Sequence, residues 1–279
     1  MISVTRQVEV GPHRIEATIL GSGTPAVVIE PGFGGTAASW RAVAEAVAED
    51  TTVVIYDRVP YGASSRAQDA RTPRDIARDL NGVLDALGIE GPVVLTGHSC
   101  GGFYARVFAG LYDERVAGMV LVDSSHEAQE QEVIARLPWR IRALRRLVMP
   151  VTMASSRKAR SGADRRSLIR ENRALLRMKA SDRPLAAGAL GRRPLIVITA
   201  GPGKIVNGRV WQIWRGLQAE LAGLSANHRH IVTSYPDHYV HKKDPDLVIT
   251  AIRDVVRSAR THAPLAAEAD ADADADAGQ

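Results

Sequence analysis

The sequence predicts an α/β fold: a mostly parallel central sheet with helices on both faces, interrupted once by a helical insertion. Three observations carry this. Short runs rich in Val, Ile and Leu alternate with longer amphipathic stretches, the pattern of strands buried on both faces and joined by helical crossovers. The alternation stops between residues 124 and 192, where helical periodicity continues without a strand, and then resumes. A chain of 279 residues, 45% hydrophobic and 24% charged, is long enough to bury one large core without a disulfide or metal staple.

The elements follow in order. Residues 2–10 and 14–20 alternate loosely and predict two strands joined by a Gly11-Pro12 turn, an antiparallel edge to the sheet. Residues 26–30 form a short apolar run stopped by Pro31-Gly32; 38–48 have helical periodicity; 52–56 are a β-branched run. Residues 72–87 open with Thr72 as N-cap and Pro73 in the first turn, then place Ile76, Leu80, Val83, Leu84 and Leu87 on one face. A strand at 93–96, a helix at 100–111 and a strand at 116–122 precede the insertion. After it come a strand at 195–199, a helix at 209–221, a strand at 230–234 and a final helix at 245–260.

The single Cys100 excludes an intrachain disulfide and a Cys-cluster zinc site. No stretch reaches the ~18 apolar residues of a membrane span, and the first ten residues contain no signal-peptide apolar region, so a soluble cytoplasmic protein is expected. The net charge of +5 hides a sharp division. Residues 135–193 hold seventeen bases against three acids, a local charge of +14, while the last fourteen residues carry five acids and no base. The expected organisation is a core of residues 1–123 and 194–262, a helical insertion at 124–193 and a disordered acidic tail at 263–279.

Gly97-His98-Ser99-Cys100-Gly101 fits G-x-S-x-G and lies between a predicted strand and a predicted helix, the setting the motif requires. A nucleophile must project from a sharp turn, and side chains at Gly97 or Gly101 would collide with the adjoining strand and helix. The helix start also brings backbone N–H groups and a positive dipole end to the site. On these residues the chain resembles the α/β-hydrolase superfamily of serine hydrolases, esterase- or lipase-like with a helical cap, from the opening strands to the last helix.

A serine hydroxyl needs a base held by a third group, and the resemblance implies the chain order serine, acid, histidine. His238 follows the predicted strand 230–234 and precedes the helix start Asp244-Pro245, which matches the superfamily's histidine loop. His241 is the rival. His228 and His230 belong to the wrong end of that strand, and the His98 side chain is expected to point away from Ser99. The usual place for the acid, after the strand at 195–199, is empty, because residues 200–219 contain no Asp or Glu. Asp123, at the carboxyl end of the preceding strand, takes the role, with Asp237 as runner-up. The oxyanion donors implied are the backbone N–H groups of Cys100 and of Phe33, the latter in the loop 30–35, where Pro31 stands in place of a frequent histidine. Asp57, Arg58, Tyr61, Gly62 and Ser64 resemble a family loop and are read as structural. Trp40 and Trp139 are candidate pocket residues.

The insertion places Arg166, Arg170, Arg173 and Arg177 on one helical stripe opposite Leu168 and Leu175. A cap with a solvated Arg face is the plainest reading. Weak contact with an anionic membrane surface, or an anionic substrate, is a second. No nucleic-acid partner is expected, since no recognition motif or aromatic platform accompanies the charge. The functional expectation is a cofactor-free, metal-free carboxylic ester hydrolase acting on a small-molecule acyl substrate. Thioester or lactone hydrolysis and acyl transfer would use the same site. A non-catalytic binding protein or a membrane-recruited protein on this fold is the alternative from another class. Ser rather than Asp at residue 99 argues against epoxide hydrolases and haloalkane dehalogenases. The oligomeric state stays open.

Overall fold

The computed structural model describes residues 2–66, 71–143, 169, 184–203 and 208–266. Its strands are β1 (Ser3–Val10), β2 (His13–Leu20), β3 (Val27–Glu30), β4 (Val53–Tyr56), β5 (Val93–His98), β6 (Val116–Val122), β7 (Leu195–Thr199) and β8 (His228–Val232). They form one sheet in the order β1-β2-β4-β3-β5-β6-β7-β8. β1 pairs antiparallel with β2 and β2 with β4, and the pairings from β4 through β8 are parallel. The α/β expectation, with its antiparallel edge, is therefore met.

The helices are α1 (Arg41–Val47), α2 (Pro73–Ala86), α3 (Cys100–Leu111), α4 (Gln129–Glu132), α5 (Gly208–Ala222), α6 (Val240–Lys243) and α7 (Pro245–Thr261). Alternate side chains of the central strands feed two cores, because successive residues in a strand point to opposite faces. Val28, Val54, Leu95, Leu121 and Val197 pack with Ile76, Leu80 and Leu84 of α2 and Phe103 and Phe108 of α3. Ile29, Ile55, Val94, Val120 and Ile196 pack with Val43 and Val47 of α1 and Val248, Ile252 and Val255 of α7. The expected cap of α2 forms: Asp75 N donates to Thr72 Oγ1 (3.2 Å), and Thr72 N donates to Asp75 Oδ2 (3.0 Å).

Three boundaries move. β5 runs to His98 rather than residue 96, because Gly97 and His98 continue the ladder opposite Leu121 and Val122 of β6. The stretch 38–48 divides into a 3-10 turn (Ala37–Trp40) and α1. β8 runs from His228 to Val232, two residues earlier at both ends than the expected 230–234. As an edge strand it is only partly covered, so polar residues pair there without an apolar run to announce them: Arg229 meets Asp254 of α7 (2.7 Å), and His230 Nε2 meets Thr199 Oγ1 (2.7 Å). Between β6 and β7, α4 and the turn Ile134–Arg136 are helical. The stripe Arg166, Arg170, Arg173 and Arg177 and the acidic repeat beyond residue 266 lie outside the described residues. No helix among the described residues is long and apolar enough to cross a membrane.

One buried ion pair ties α3 to the segment after β6. Arg106 donates to Glu127 Oε2 and to the Ser125 carbonyl, both at 2.8 Å, with side chains 0% and 1% exposed for the pair. Burial pushes the Glu127 carboxyl up, but Arg106, His126 and the hydrogen bonds to it outweigh that and hold it below the ordinary 4.5. Its contribution to stability is therefore present above that value and lost as pH falls through the lowered one. Removing only the cation strands a buried charge. Arg106→Met is expected to cost about 3–5 kcal/mol in urea unfolding at pH 7, with most of it recovered in Arg106→Met/Glu127→Leu. A single variant as stable as the parent would contradict this.

Candidate active site

β5 delivers Ser99 to the N-terminus of α3 with φ 54° and ψ −126°, a region that non-glycine residues rarely occupy. Backbone hydrogen bonds fix it there: Ser99 N donates to Val122 O (3.1 Å), and Ser99 O accepts from Gly102 N (3.0 Å) and Ser125 N (2.8 Å). The turn closes only because its flanks lack side chains. A Cβ at Gly97 would stand 2.5 Å from Gly102 Cα, and one at Gly101 would stand 2.1 Å from Glu30 O. The sequence motif thus corresponds to two close backbone approaches.

Asp123 follows the last residue of β6 and is 4% exposed. Its Oδ2 accepts from His238 Nδ1 at 2.6 Å. Its Oδ1 accepts from Ala200 N (3.2 Å) and from Trp214 Nε1 (3.0 Å). A carboxylate partner at Nδ1 places the imidazole proton there and leaves Nε2 as the acceptor. The runner-up Asp237 accepts instead from Tyr239 N at 2.8 Å. The donors from Ala200 and Trp214 were not legible in the sequence. The empty acid position after β7 was the one signal, since a backbone N–H at that place is free to serve an acid from β6.

Ser99 and His238 line one cleft of ≈ 290 Å³, together with Gly32, Phe33, Ser39 and Trp40, a size for a small ligand. The Phe33 loop is gripped from beneath. Arg58 donates to Pro31 O (2.5 Å), Gly32 O (3.1 Å) and Glu30 Oε1 (2.6 Å), and Tyr56 donates to the other Glu30 oxygen. Burial, and then the Glu30 charge, push the Tyr56 hydroxyl well above its ordinary range. Asp57 accepts from Ala37 N (2.8 Å) and Ala63 N (3.3 Å), so the Asp57-Arg58 loop ties neighbouring loops together. Cys100 begins α3 with its side chain buried.

Two expectations are corrected. Trp139 does not line the cleft; it stands 69% exposed, with the Arg140 guanidinium over its ring. Apolar spacing identified a helix face there and carried no information on what that face meets. His98 does not turn away from the site. It lines the same cleft as Ser99 and packs 4.6 Å, centroid to centroid, from His238. His241, the rival base, is stacked flat on Trp40 at 4.1 Å. Burial, then the charges of Lys242 and His238, push it down to about 3, so it is neutral at physiological pH. No cluster of metal-ligating side chains occurs among the described residues.

A serine thus stands on a strand–turn–helix elbow at the carboxyl edge of a largely parallel sheet, with a hydrogen-bonded histidine and carboxylate supplied by later loops. A family model for the alpha/beta hydrolase fold matches residues 25–216, and the chain belongs to that family. It is 41% identical over 108 residues to a 2-hydroxymuconate semialdehyde hydrolase of Pseudomonas sp. (strain CF600), a match covering 38% of each chain. It is 38% identical over 105 residues to a protein of Azorhizobium caulinodans provisionally named a carbamate hydrolase, covering 38% of this chain and 39% of that one. The chain thus spans well under half the length of these two relatives. A solved esterase of Thermogutta terrifontis superposes with TM-score 0.66 over 93% of this chain and 99% of its own, at 22% identity, which is a likeness of fold.

The close approach at Gly101 gives a direct check. Gly101→Ala is expected to lower stability by about 1–3 kcal/mol through overpacking against the Glu30 carbonyl. An unchanged unfolding midpoint would contradict the geometry.

Proposed function

We propose that this protein is a serine hydrolase that cleaves a carboxylic ester of small or medium size through an acyl-enzyme. The observation that carries the reading is the 2.6 Å hydrogen bond to the buried Asp123 from His238, which lines the same cleft as Ser99. Ser99 Oγ attacks the ester carbonyl carbon while His238 Nε2 accepts its proton. The tetrahedral oxyanion takes hydrogen bonds from the Cys100 and Phe33 N–H groups. Its collapse breaks the carbonyl–alkoxy bond, and His238 returns the proton to the leaving alcohol. Water, deprotonated by His238, then releases the acid and restores Ser99. Asp123 keeps the imidazole in the Nδ1–H tautomer and compensates its cation. Thioesters, lactones and transfer to another acceptor demand the same groups and differ only in the leaving atom or the acceptor.

A fluorophosphonate probe is expected to label the folded protein, and Ser99→Ala to abolish the labelling. A series of p-nitrophenyl esters of increasing acyl length then reads the pocket. A folded chain that neither labels nor turns over any of them would overturn the proposal. Asp123→Asn is expected to lower kcat by about 10³–10⁴-fold through the wrong tautomer, whereas Asp237→Asn stays within about 2-fold of the parent, as a surface change does. The reverse order would move the acid to Asp237.

A further inference from the structure

Among the described residues lining the cleft, His98 and His241 have no part in the mechanism above, and His98 adjoins Ser99 in the chain, faces Gly32 and packs against His238. His98 is the last residue of β5 and is followed directly by Ser99. The residue is 2% exposed. Its Nδ1 faces the oxyanion loop so closely that a Cβ at Gly32 would stand 2.7 Å away. Its Nε2 lies 2.9 Å from the backbone carbonyl oxygen of His238, 140 residues further along the chain. A carbonyl only accepts, so Nε2 carries the proton in this bond and Nδ1 is bare.

The two adjacent histidines are set apart by their surroundings. His238 is 45% exposed at its side chain and bonded to Asp123, whereas His98 is enclosed and bonded to a backbone carbonyl. Burial first, then the charges of His238, His241 and Lys242, hold His98 well below its ordinary value. It therefore remains a neutral donor while its neighbour gains and loses a proton.

We infer that His98 is a positioning residue for the proposed base: its Nε2–H holds the His238 carbonyl and locks the histidine loop to the nucleophile's own strand. The inference rests on the hydrolase reading above. The loop from β8 to α6 otherwise approaches the cleft as an irregular segment, residues 233–239. Displacing the imidazole by a fraction of an ångström would lengthen the proton transfer from Ser99 without altering how a substrate fills the cleft.

The test compares His98→Leu, His98→Gln and His98→Asn on the best p-nitrophenyl ester of the series. Leu fills the space without a donor; Gln can place an amide N–H near the position of Nε2; Asn is one methylene shorter. His98→Leu is expected to lose about 10²-fold in kcat with KM within about 3-fold, and His98→Gln to regain about 10-fold of that loss, because misplacement by about 1 Å costs on this scale. If His98→Leu fails to fold by thermal unfolding, the Gln and Asn pair decides, with Gln the faster. Leu at the parental kcat, or Gln and Asn equally slow, would reduce His98 to a packing residue and overturn the inference. Nitrogen NMR of the parent gives a readout that needs no substrate: an Nε2–H tautomer at His98 is expected, and an Nδ1–H tautomer contradicts it. A parent without Ser99-dependent turnover defeats the hydrolase reading and this inference with it, whereas an active parent indifferent to His98 defeats only the latter.

Discussion

The hydrogen bond between Asp123 and His238 joins residues 115 positions apart, and most of the architecture contributes to it. Parallel pairing of β6 with β7 sets Val122 opposite Ile198, so the next residues of both strands emerge side by side. Asp123 then turns with φ 42°, a conformation Asp tolerates better than most side chains. There it collects the Ala200 N–H from the end of β7 and the Trp214 indole from α5. A buried carboxylate is costly unless its acceptors are filled, and these donors fill them. An acid at β6 thus depends on a β7 end that offers an N–H and not a second carboxylate.

The two loops flanking Ser99 are held by a shared device. Arg58 reaches under the Phe33 loop from the end of β4, and Arg106 reaches from α3 under the segment after Asp123. Each has a buried glutamate, Glu30 and Glu127 respectively, and each donates to backbone carbonyls as well. Buried ion pairs add little net stability, because desolvation offsets their attraction. Guanidinium forks that also bond loop carbonyls fix backbone position instead, and backbone position is what the proposed oxyanion donors and acid would require. Arg58 also lies over the Tyr61 and Tyr104 rings at 5.5 and 5.2 Å, which closes the remaining space around it.

Much of this was legible in the residue order, for identifiable reasons. The elbow was readable because steric exclusion leaves only glycine at 97 and 101, and α2 because its cap and its apolar stripe are both local signals. The placing of Asp123 followed from an absence, the lack of any acid in residues 200–219. What was illegible is tertiary. In the edge strand β8, Arg229 and His230 find their partners, Asp254 and Thr199, 25 and 31 positions away in the chain. The direction of His98 depends on a carbonyl 140 residues away. Trp139 sits on an apolar stripe whose partner no local pattern names.

The claim on which the account turns is that Asp123, and not Asp237, holds the base. Proton NMR of the downfield region tests it without a substrate, since an imidazole N–H in a short bond to a buried carboxylate exchanges slowly and is strongly deshielded. The account predicts a resonance that disappears in His238→Gln and in Asp123→Asn and persists in Asp237→Asn. A resonance that survives Asp123→Asn, or vanishes in Asp237→Asn, would contradict it.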